Sequence, residues 1–349
     1  LYWLVPKMWG TQLYSKKLAT NHFWLGTIGI VLYAVPLYWA GFTQAQMWKT
    51  FTEEGQLKFQ FLETVTHIIP MYVTRSIGGA LYLVGAILMV YNIVKTIRKG
   101  YFIANEAAEA APLPKHTSGG REYWHRRIER KPVTLLVLSL IVVAIGGALE
   151  MIPTFLVKSN VPTIASVKPY TPLELQGRDI YIREGCYTCH SQMIRPFRDE
   201  DARYGEYSKA GEFVYDHPFQ WGSKRTGPDL ARVGGKYPDS WHYNHMLDPK
   251  LMSPGSIMPP YPWLFDNKID TASTPAKIRA MQQLGVPYPE GYDKIANQEL
   301  MAQANSIRIN LKMAKIETPK DAEIVALIAY LQRLGKDIKA APANQVAEK

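Results

Sequence analysis

Three long stretches without charged residues dominate the first half of the sequence. The stretch FWLGTIGIVLYAVPLYWAGF spans residues 23–42, and SIGGALYLVGAILMVYNIV spans residues 76–94. A third, VTLLVLSLIVVAIGGAL, covers residues 133–149 and extends, with one acidic residue, to Phe155. An α-helix rises about 1.5 Å per residue, so about 20 apolar residues cross a bilayer core of roughly 30 Å. The pattern therefore predicts three transmembrane helices.

The charges that flank these stretches favour a membrane over the alternative, three buried helices of a soluble protein. Residues 1–21 carry three lysines and no acidic residue, and residues 95–131 carry nine basic and four acidic residues. The connection between the first two stretches has more glutamates than lysines. Cytoplasmic loops carry an excess of lysine and arginine, so we expect residues 1–21 and 95–131 in the cytoplasm. The third helix then delivers the chain after about Lys158 to the outer face.

The formal net charge of +10 would by itself suggest a nucleic-acid partner. Residues 158–349, however, contain 25 basic and 22 acidic residues, so most of the excess lies beside the apolar stretches. We therefore expect the positive charge to contact membrane lipid, and we expect no nucleic-acid partner. The length of 349 residues and a hydrophobic fraction of 47% permit two domains with filled cores. Because the sequence starts at Leu1 within an apolar stretch, we expect it to be part of a longer polypeptide.

The second half of the sequence is predicted to contain two helices that frame a small helical domain. In TPLELQGRDIYIREG, Thr171 is the predicted N-cap, Pro172 the first helical residue and Glu174 the partner in a capping box. In TPKDAEIVALIAYLQRLG, we expect the helix to open at residues 318–321 and to end before Gly335. The apolar faces of the two helices consist of Leu173, Gly177, Ile180 and Tyr181, and of Ile324, Leu327, Ile328, Leu331 and Leu334. We expect these faces to cross and to close a pocket.

Both cysteines of the chain lie in the segment REGCYTCHSQMIRPF. Cys186, Cys189 and His190 have the spacing C-x-x-C-H, in which two thiols can bond to the vinyl groups of one haem while the histidine binds its iron. Haem attachment of this kind takes place outside the bacterial cytoplasm, where the charge pattern places the segment. The alternatives are a redox dithiol, which would need a βαβ pattern, and a zinc site completed by His242 and His245. We favour a covalent haem c.

A low-spin electron carrier needs a second axial ligand to the iron, and a methionine sulfur opposite His190 would raise the reduction potential. Met193 follows the histidine too closely to reach the opposite haem face without a tight turn. Met258 lies in SPGSIMPPYPW, where prolines can hold a side chain outside a helix. We therefore predict Met258 as the ligand. The other methionines after the motif, which are more often core residues in such positions, are Met246, Met252, Met281, Met301 and Met313.

The segment WGSKRTGPDLARVGG, residues 221–235, is predicted to lie beside the proximal histidine. There the carbonyl of Pro228 can accept a hydrogen bond from His190 Nδ1, and Leu230 can pack against the haem edge. The alternative is a glycine-rich surface turn. Three arginines are candidates to pair with the haem propionates, although an arginine is more often a solvated surface charge. They are Arg195, Arg198 and Arg225.

With these motifs, the chain resembles the cbb3-type cytochrome c oxidases of the haem-copper superfamily, and it resembles two of their subunits in series. The run GRDIYIREGCYTCHSQMIRPFRDEDARYGEYSKAGEFVYDHPFQWGSKRTGPDLARVGGKY, with MPPYPWL beyond it and GGALEMIP before it, is similar to the membrane-anchored mono-haem c subunit. Residues 1 to about 100, with NHFWLGTIGIVLYAVPLYWAGFTQAQMW and YVTRSIGGALYLVGAILMVYNI, are similar to the last two helices of the catalytic subunit. The continuity of the two parts implies a fused gene.

The resemblance implies a mainly α fold, with three transmembrane helices and an all-α, class I-like cytochrome c domain outside the membrane. The expected order is the catalytic-subunit-like helices (1–100), a cytoplasmic linker (101–131), the anchor helix (132–157), an extracytoplasmic linker (158–170), the cytochrome c domain (171–335) and a flexible tail (336–349). The resemblance also implies that His190 and Met258 are the axial ligands and that Cys186 and Cys189 form the thioether links.

The resemblance further implies that the chain is the electron-transfer part of a terminal oxidase in a bacterial inner membrane. Electrons from a soluble or anchored periplasmic cytochrome c would pass through one covalent haem c to b-type haems and copper. Those centres lie in the catalytic subunit, where oxygen is reduced and protons are pumped, and the chain itself would hold no oxygen-reducing site. Expected partners are the remaining catalytic-subunit helices, a di-haem cytochrome c subunit and small membrane subunits. The alternatives are a stand-alone anchored cytochrome c and the haem c subunit of a nitric oxide reductase.

Overall fold

The computed structural model describes residues 1–104, 123–157, 163–222 and 224–339. In these ranges the chain folds into α-helices and short 3-10 helices, and two isolated β-bridges are the only extended pairing. The predicted mainly α fold class is confirmed. The chain forms two compact units, Leu1–Pro36 with Val73–Asn160 and Leu37–Tyr72 with Val161–Lys349.

In chain order, the α-helices of the described ranges are α1 (Leu4–Met8), α2 (Lys16–Lys49), α3 (Phe61–His67), α4 (Ile69–Ile97), α5 (Trp124–Glu129), α6 (Pro132–Leu156), α7 (Pro172–Arg183), α8 (Arg198–Tyr204), α9 (Asp239–Leu247), α10 (Pro249–Met252), α11 (Trp263–Asp266), α12 (Thr274–Gln283), α13 (Tyr292–Met313), α14 (Glu323–Arg333) and α15 (Lys336–Lys339). Two 3-10 helices, Cys186–Thr188 and Ala210–Phe213, lie on either side of α8 in the sequence.

Several of the predicted domain boundaries involve residues outside the described ranges. These residues are 105–122 of the predicted cytoplasmic linker, 158–162 of the predicted extracytoplasmic linker and 340–349 of the predicted tail. The domain boundaries therefore stay a prediction.

Among the described residues, three helices are long and apolar enough to cross a membrane, and they contain the three predicted stretches. They are α2, α4 and α6. Each helix extends beyond its charge-free stretch, because the flanking charged residues continue the helical backbone. α2 includes Pro36 in its interior, where the missing N–H removes one hydrogen bond of the helix. The predicted membrane-spanning helices are confirmed.

In the first unit, glycines bring the backbones of α2 and α4 into direct contact. A Cβ atom on Gly29 would lie 2.8 Å from the carbonyl oxygen of Gly78. A Cβ atom on Gly78 would lie 2.6 Å from the backbone nitrogen of Tyr33. Neither neighbour is a movable side chain, so only glycine permits this approach. Small residues at the contact are the usual device for packing helices in a membrane.

A polar side chain near the C-terminal end of α4 binds the backbone just before α2. Asn92 in α4 is fully buried, with 0% of its surface exposed. Its Oδ1 accepts a hydrogen bond from the Ser15 N–H at 3.0 Å, and its Nδ2 donates to the Ser15 carbonyl at 2.9 Å. The amide thus satisfies both backbone groups of Ser15 just before α2 begins. The sequence analysis did not identify this contact.

The glycine contact between α2 and α4 predicts that alanine destabilises the protein at position 78 and is tolerated at the adjacent position 79. Gly78→Ala places a Cβ atom against backbone and should lower the free energy of unfolding by about 1–3 kcal/mol. Gly79→Ala is the matched control, because a Cβ atom there has no heavy atom within 4 Å. Both changes raise helix propensity equally, so that effect cancels. Thermal unfolding of the chain in detergent micelles tests the difference, and equal stabilities of the two variants would contradict the packing.

In the second unit, α7 begins as the sequence predicts. Thr171 Oγ1 accepts a hydrogen bond from the Glu174 N–H at 3.3 Å, and Glu174 Oε2 accepts from the Thr171 N–H at 2.9 Å. The capping box is therefore confirmed. α7 crosses α14 at Gly177, where a Cβ atom would lie 1.9 Å from the carbonyl oxygen of Ala326. The buried side chains at this crossing include Leu173, Ile180, Tyr181, Ile324, Leu327, Ile328 and Leu331, as the two apolar stripes predict.

The predicted start of α14 is wrong. The helix begins at Glu323 and not at residues 318–321. The reason is a tertiary backbone pairing: the Ile269 N–H donates to the Asp321 carbonyl at 2.8 Å, and the Glu323 N–H donates to the Asn267 carbonyl at 2.9 Å. These bonds pair the two segments on either side of Ala322, whose backbone is extended, and take the place of the predicted cap.

The connection between α2 and α4 belongs to the second unit and packs against α8. Arg203 donates hydrogen bonds to the carbonyls of Phe59 at 3.1 Å and of Trp48 at 3.5 Å. The guanidinium of Arg198 lies 4.4 Å from the ring centroid of Phe51, a cation–π contact. Two arginines of the cytochrome-like region thus bind the connection that follows the first membrane-spanning helix.

Candidate haem site

The C-x-x-C-H motif follows α7 through a left-handed turn. Gly185 has a φ of +70°, a backbone conformation that favours glycine. The 3-10 turn at Cys186–Thr188 then brings the His190 N–H to the carbonyl of Cys186 at 2.9 Å. Both cysteines are free thiols, Cys189 exposed and Cys186 half-buried against the core. Burial raises the pKa of Cys186 to about 12, so this thiol differs from the readily ionised thiol of a redox dithiol.

His190 is held by the loop at residues 226–231. Its Nδ1 lies 2.8 Å from the carbonyl oxygen of Pro228. Because a carbonyl can only accept, Nδ1 carries the proton, and the lone pair of Nε2 is available to a metal. Gly227 permits this approach, since a Cβ atom there would lie 2.2 Å from the ring Cε1 of His190. Burial lowers the pKa of His190, and the bond to Pro228 and the charge of Asp229 oppose that lowering.

A network of charged side chains, of which Glu200, Arg225 and Asp229 are buried and Arg195 is exposed, lies behind this loop. Arg225 donates to Glu200 at 2.8 Å and reaches Asp229 at 3.4 Å. Glu200 also accepts from the backbone N–H and the Nε–H of Arg195, at 2.7 and 2.5 Å. Burial alone would raise the pKa of Glu200, but the hydrogen bonds from the two arginines outweigh it and lower the pKa. Two of the three arginines predicted as propionate partners thus contact Glu200, while Arg198 contacts an aromatic ring.

Met258 and Leu230 border the same apolar core as Cys186. All three side chains are half-buried and pack against the main core cluster of the second unit. The segment that carries Met258 is attached to α9 through a hydrogen bond from the Tyr261 N–H to the Met246 carbonyl at 2.9 Å. The core therefore joins the motif, the loop beside His190 and the Met258 segment. The assignment of Met258 as an iron ligand stays a prediction.

Met193 lies in a different environment. Its side chain is 38% exposed. It lines a cleft of about 450 Å³ together with Trp48, Tyr72 and Arg195. The other candidate methionines are placed as follows: Met246 and Met281 are buried, Met252 and Met301 are half-buried, and Met313 is 74% exposed.

Two histidines on α9 have buried ring nitrogens without a hydrogen-bond partner among the described residues. The atoms are His242 Nε2 and His245 Nδ1. Trp241 stacks on His245 with ring centroids 4.5 Å apart. Burial lowers the pKa of both histidines to about 4, and the nearby His190 lowers that of His245 further. Within the described ranges, no group of three or more His, Cys, Asp or Glu side chains is placed to hold a metal ion.

These features fit a haem bound through the motif. Two free thiols at the C-x-x-C spacing can supply thioether links. His190 offers Nε2 to an iron, and Met258 offers a half-buried sulfur beside the same core. The unpartnered Nδ1 of His245 provides a buried hydrogen-bonding group for a polar substituent, which the protein alone leaves unsatisfied.

Comparison with known families agrees with this geometry. A family described as cytochrome c oxidase, mono-heme subunit/FixO, matches residues 125–338. The chain belongs to this family of mono-haem oxidase subunits. A second family, described as cytochrome c and quinol oxidase polypeptide I, matches residues 1–81. The two matches follow one another in one chain, as in a fusion of cbb3-type subunits, and they confirm the resemblance found in the sequence.

Similar proteins share about a hundred residues with the chain. The cytochrome c oxidase subunit 1 homolog of Agrobacterium tumefaciens (strain T37) is 46% identical over 98 residues, which are 28% of this chain and 18% of that protein. Cytochrome c oxidase subunit 1 of Rhodobacter capsulatus is 46% identical over 108 residues, 31% and 20% of the two chains. The cbb3-type cytochrome c oxidase subunit CcoN1 of Stutzerimonas stutzeri is 40% identical over 99 residues, 28% and 21% of the two chains. The chain thus spans about a fifth of the length of the curated relatives it matches.

The description of the matched family names a mono-haem subunit of cytochrome c oxidase, which implies a haem. The three membrane-spanning helices agree with such a family.

The buried histidines of α9 should make the second unit sensitive to mild acid. The pKa of histidine is 6.5 in the unfolded chain and about 4 for His242 and His245 in the fold. Between these values the unfolded state binds more protons, so the free energy of unfolding falls as the pH decreases from 6.5 to 4. For each histidine we expect a loss of about 2 kcal/mol between about pH 7 and pH 5. Chemical denaturation at the two pH values measures it.

A pair of variants separates this effect from general acid sensitivity. His242→Gln removes one of the buried sites and should reduce the pH dependence of stability. His217→Gln changes an exposed histidine and should leave that dependence as it is. If the two variants and the parent chain lose the same free energy of unfolding on acidification, the buried histidines are not its cause.

Proposed function

We propose that the chain is the electron-transfer part of a cbb3-type terminal oxidase and carries one covalent haem c. The observation that carries the proposal is the 2.8 Å hydrogen bond from His190 Nδ1 to the Pro228 carbonyl, within a C-x-x-C-H motif. This bond fixes the tautomer that leaves Nε2 free for iron. The matches to a mono-haem subunit and to polypeptide I in one chain support an oxidase as the setting.

Four side chains would hold the haem. Cys186 and Cys189 would form the thioether links, and His190 and Met258 would bind the iron. When bound, the haem supplies a one-electron redox couple. The chain keeps the histidine ring in one orientation through Pro228, so little has to rearrange when the charge of the site changes.

The surroundings of these ligands are partly apolar. The Leu230 and Met258 side chains pack against a core in which Leu264 and Leu327 are almost completely buried. An apolar surrounding raises the energetic cost of the extra positive charge of oxidised iron. It therefore favours the reduced state, as a methionine ligand also does.

The path of electrons follows from the proposed topology. The excess of basic residues in 1–21 and 95–131 supports a cytoplasmic location for these segments, and hence the periplasmic face of a bacterial inner membrane for the haem. Electrons enter from a soluble or anchored periplasmic cytochrome c, or from a di-haem cytochrome c subunit. They leave to the b-type haems and copper of the catalytic subunit, where oxygen is reduced to water and protons are pumped. Small membrane subunits complete the assembly.

The packing of the second unit supports a fixed place for the haem. Arg203 binds the carbonyl of Trp48, in the last turn of α2, and that of Phe59, in the connection between α2 and α4, and both residues lie within the segment similar to polypeptide I. Arg198 adds a contact with the ring of Phe51 in the same connection. Since the rate of electron transfer depends on the distance between redox centres, a docked cytochrome region suits an oxidase. A stand-alone carrier, or the haem c subunit of a nitric oxide reductase, would not account for the match of residues 1–81.

The proposal predicts the spectrum of the detergent-purified material. We expect one covalent c-type haem per chain, visible as haem stain on a denaturing gel, together with b-type haem that acidic acetone extracts. We also expect the reduced complex to bind carbon monoxide. Covalent haem without b-type haem would indicate a stand-alone carrier, and a chain without haem stain would overturn the haem assignment.

The axial ligand is tested by a second pair of variants. Met258→Ala should leave the haem attached, because the thioether links remain, but it should convert the iron from low-spin to high-spin. Met193→Ala is the control, because this side chain lines the cleft with Trp48 and Tyr72 and is not the predicted ligand. This variant should keep low-spin iron. Optical and electron paramagnetic resonance spectra distinguish the spin states. High-spin iron in Met193→Ala and low-spin iron in Met258→Ala would show that the assignment is wrong.

A further inference from the structure

We propose that Asp229 is a positioning residue that locks the loop beside His190 and sets the reduction potential of the haem, an inference that rests on the proposed function. Asp229 belongs to neither pair of proposed haem ligands. It acts through the chain segments that carry His190 and Pro228.

The carboxylate of Asp229 joins the motif to its own loop. One oxygen accepts hydrogen bonds from Ser191 Oγ at 2.5 Å and from the Met193 N–H at 3.0 Å. The other oxygen accepts from the Ala231 N–H at 2.8 Å. The side chain is fully buried, with 0% exposure. Asp229 therefore holds the residues after His190 with one oxygen and its own loop with the other.

Backbone hydrogen bonds complete the attachment on both sides of His190. The loop donates to the carbonyls of Cys189 at 2.9 Å and of Ser191 at 2.8 Å. Pro228 lies between the two donors along the loop, and its carbonyl accepts from the histidine ring. Since Asp229 follows Pro228 directly, a fixed carboxylate also fixes that carbonyl.

The charge of Asp229 is only partly neutralised. The contacts that the described residues make with its carboxylate oxygens come from donors, among them the guanidinium of Arg225. This counter-charge lies at 3.4 Å and contacts Glu200 more closely, at 2.7 Å, while Glu200 also pairs with Arg195. A negative charge near a haem stabilises the oxidised form, which has one more positive charge, and so lowers the reduction potential.

Asp229→Asn tests the inference because it keeps the shape of the side chain and removes the charge. We expect covalent haem and low-spin iron as in the parent chain, and a higher midpoint potential. The loss of the charge raises the potential directly. A looser bond from His190 to Pro228 also raises it, because the imidazole becomes a weaker electron donor. At a fixed ambient potential, the ratio of reduced to oxidised haem c should rise by about three- to tenfold, and tenfold corresponds to about 59 mV for one electron.

The measurement is a redox titration of haem c in the purified oxidase that contains the full chain. Asp216→Asn is the matched control, because Asp216 is a buried carboxylate that contacts Arg178 at 3.1 Å and Tyr170 at 3.3 Å. It should reduce stability and leave the midpoint potential unchanged. An equal upward shift in Asp216→Asn would show a general effect of lost buried charge and would overturn the inference.

Ser191→Ala provides an independent measurement, and it decides the matter if Asp229→Asn does not incorporate haem. This variant keeps the Asp229 charge and its bonds to the Met193 and Ala231 N–H groups, so the loop stays attached to the motif. It removes one donor that neutralises part of the charge, so we expect a lower midpoint potential. An unchanged or higher potential in Ser191→Ala would overturn the inference. An unchanged potential in Asp229→Asn, with intact low-spin haem, would overturn the inference about Asp229 but not the proposed function. A parent chain without covalent haem would overturn both the inference and the proposed function.

Discussion

The hydrogen bond between His190 Nδ1 and the Pro228 carbonyl is the constraint on which the candidate site depends. An imidazole can bind iron through only one nitrogen at a time, and the partner of the other nitrogen decides which tautomer is present. The carbonyl of Pro228 makes that choice at 2.8 Å. The missing side chain of Gly227 leaves room for the ring, since a Cβ atom there would overlap it. The local chemistry of the site is therefore set by a backbone oxygen and by the absence of one carbon atom.

Glycine also permits two backbones to approach closely at one helix contact in each unit. Gly177 lets α7 touch the backbone of α14, and Gly78 lets α4 touch the backbone of α2. The contact at Gly177 fixes the position of α7 against α14, and the motif begins within one turn of the last residue of α7. The position of Cys186 therefore follows from the packing of two helices. The position of His190 follows from the loop that holds its ring.

Local sequence signals were sufficient for much of this fold. The charge-free stretches gave the three spans, and the capping box at Thr171 gave the start of α7, because each signal involves neighbours along the chain. Local signals failed where a segment distant in the sequence binds the backbone at the start of a helix. Residues 267–269 pair with Asp321 and Glu323 and leave Ala322 extended, so α14 starts later than its capping residues suggest. Periodicity and capping patterns carry no information about such a partner.

The same limit applies to the candidate site. The spacing C-x-x-C-H is local and could be read directly, whereas the partners of Asp229 lie 38 and 36 positions away. Ser191 and Met193 gave no sign in the sequence that they contact this carboxylate. An acidic residue directly after the predicted proline was the available clue, because a buried acid in that position needs donors. The roles of His190, Met258 and the cysteines toward a haem stay predictions.

The joining of two matched segments in one chain changes the energetics of their contact. Separate subunits lose translational and rotational freedom on association, at a cost of roughly 4–15 kcal/mol. A covalent connection removes much of this cost, because the segments remain at a high effective concentration. Within the second unit, the contacts of Arg203 and Arg198 then need only hold Trp48, Phe51 and Phe59 against α8. Directional polar contacts of modest strength are sufficient for that task. A small set of arginine contacts can therefore join parts of the two matched segments where the interface of two free subunits would need a larger apolar area.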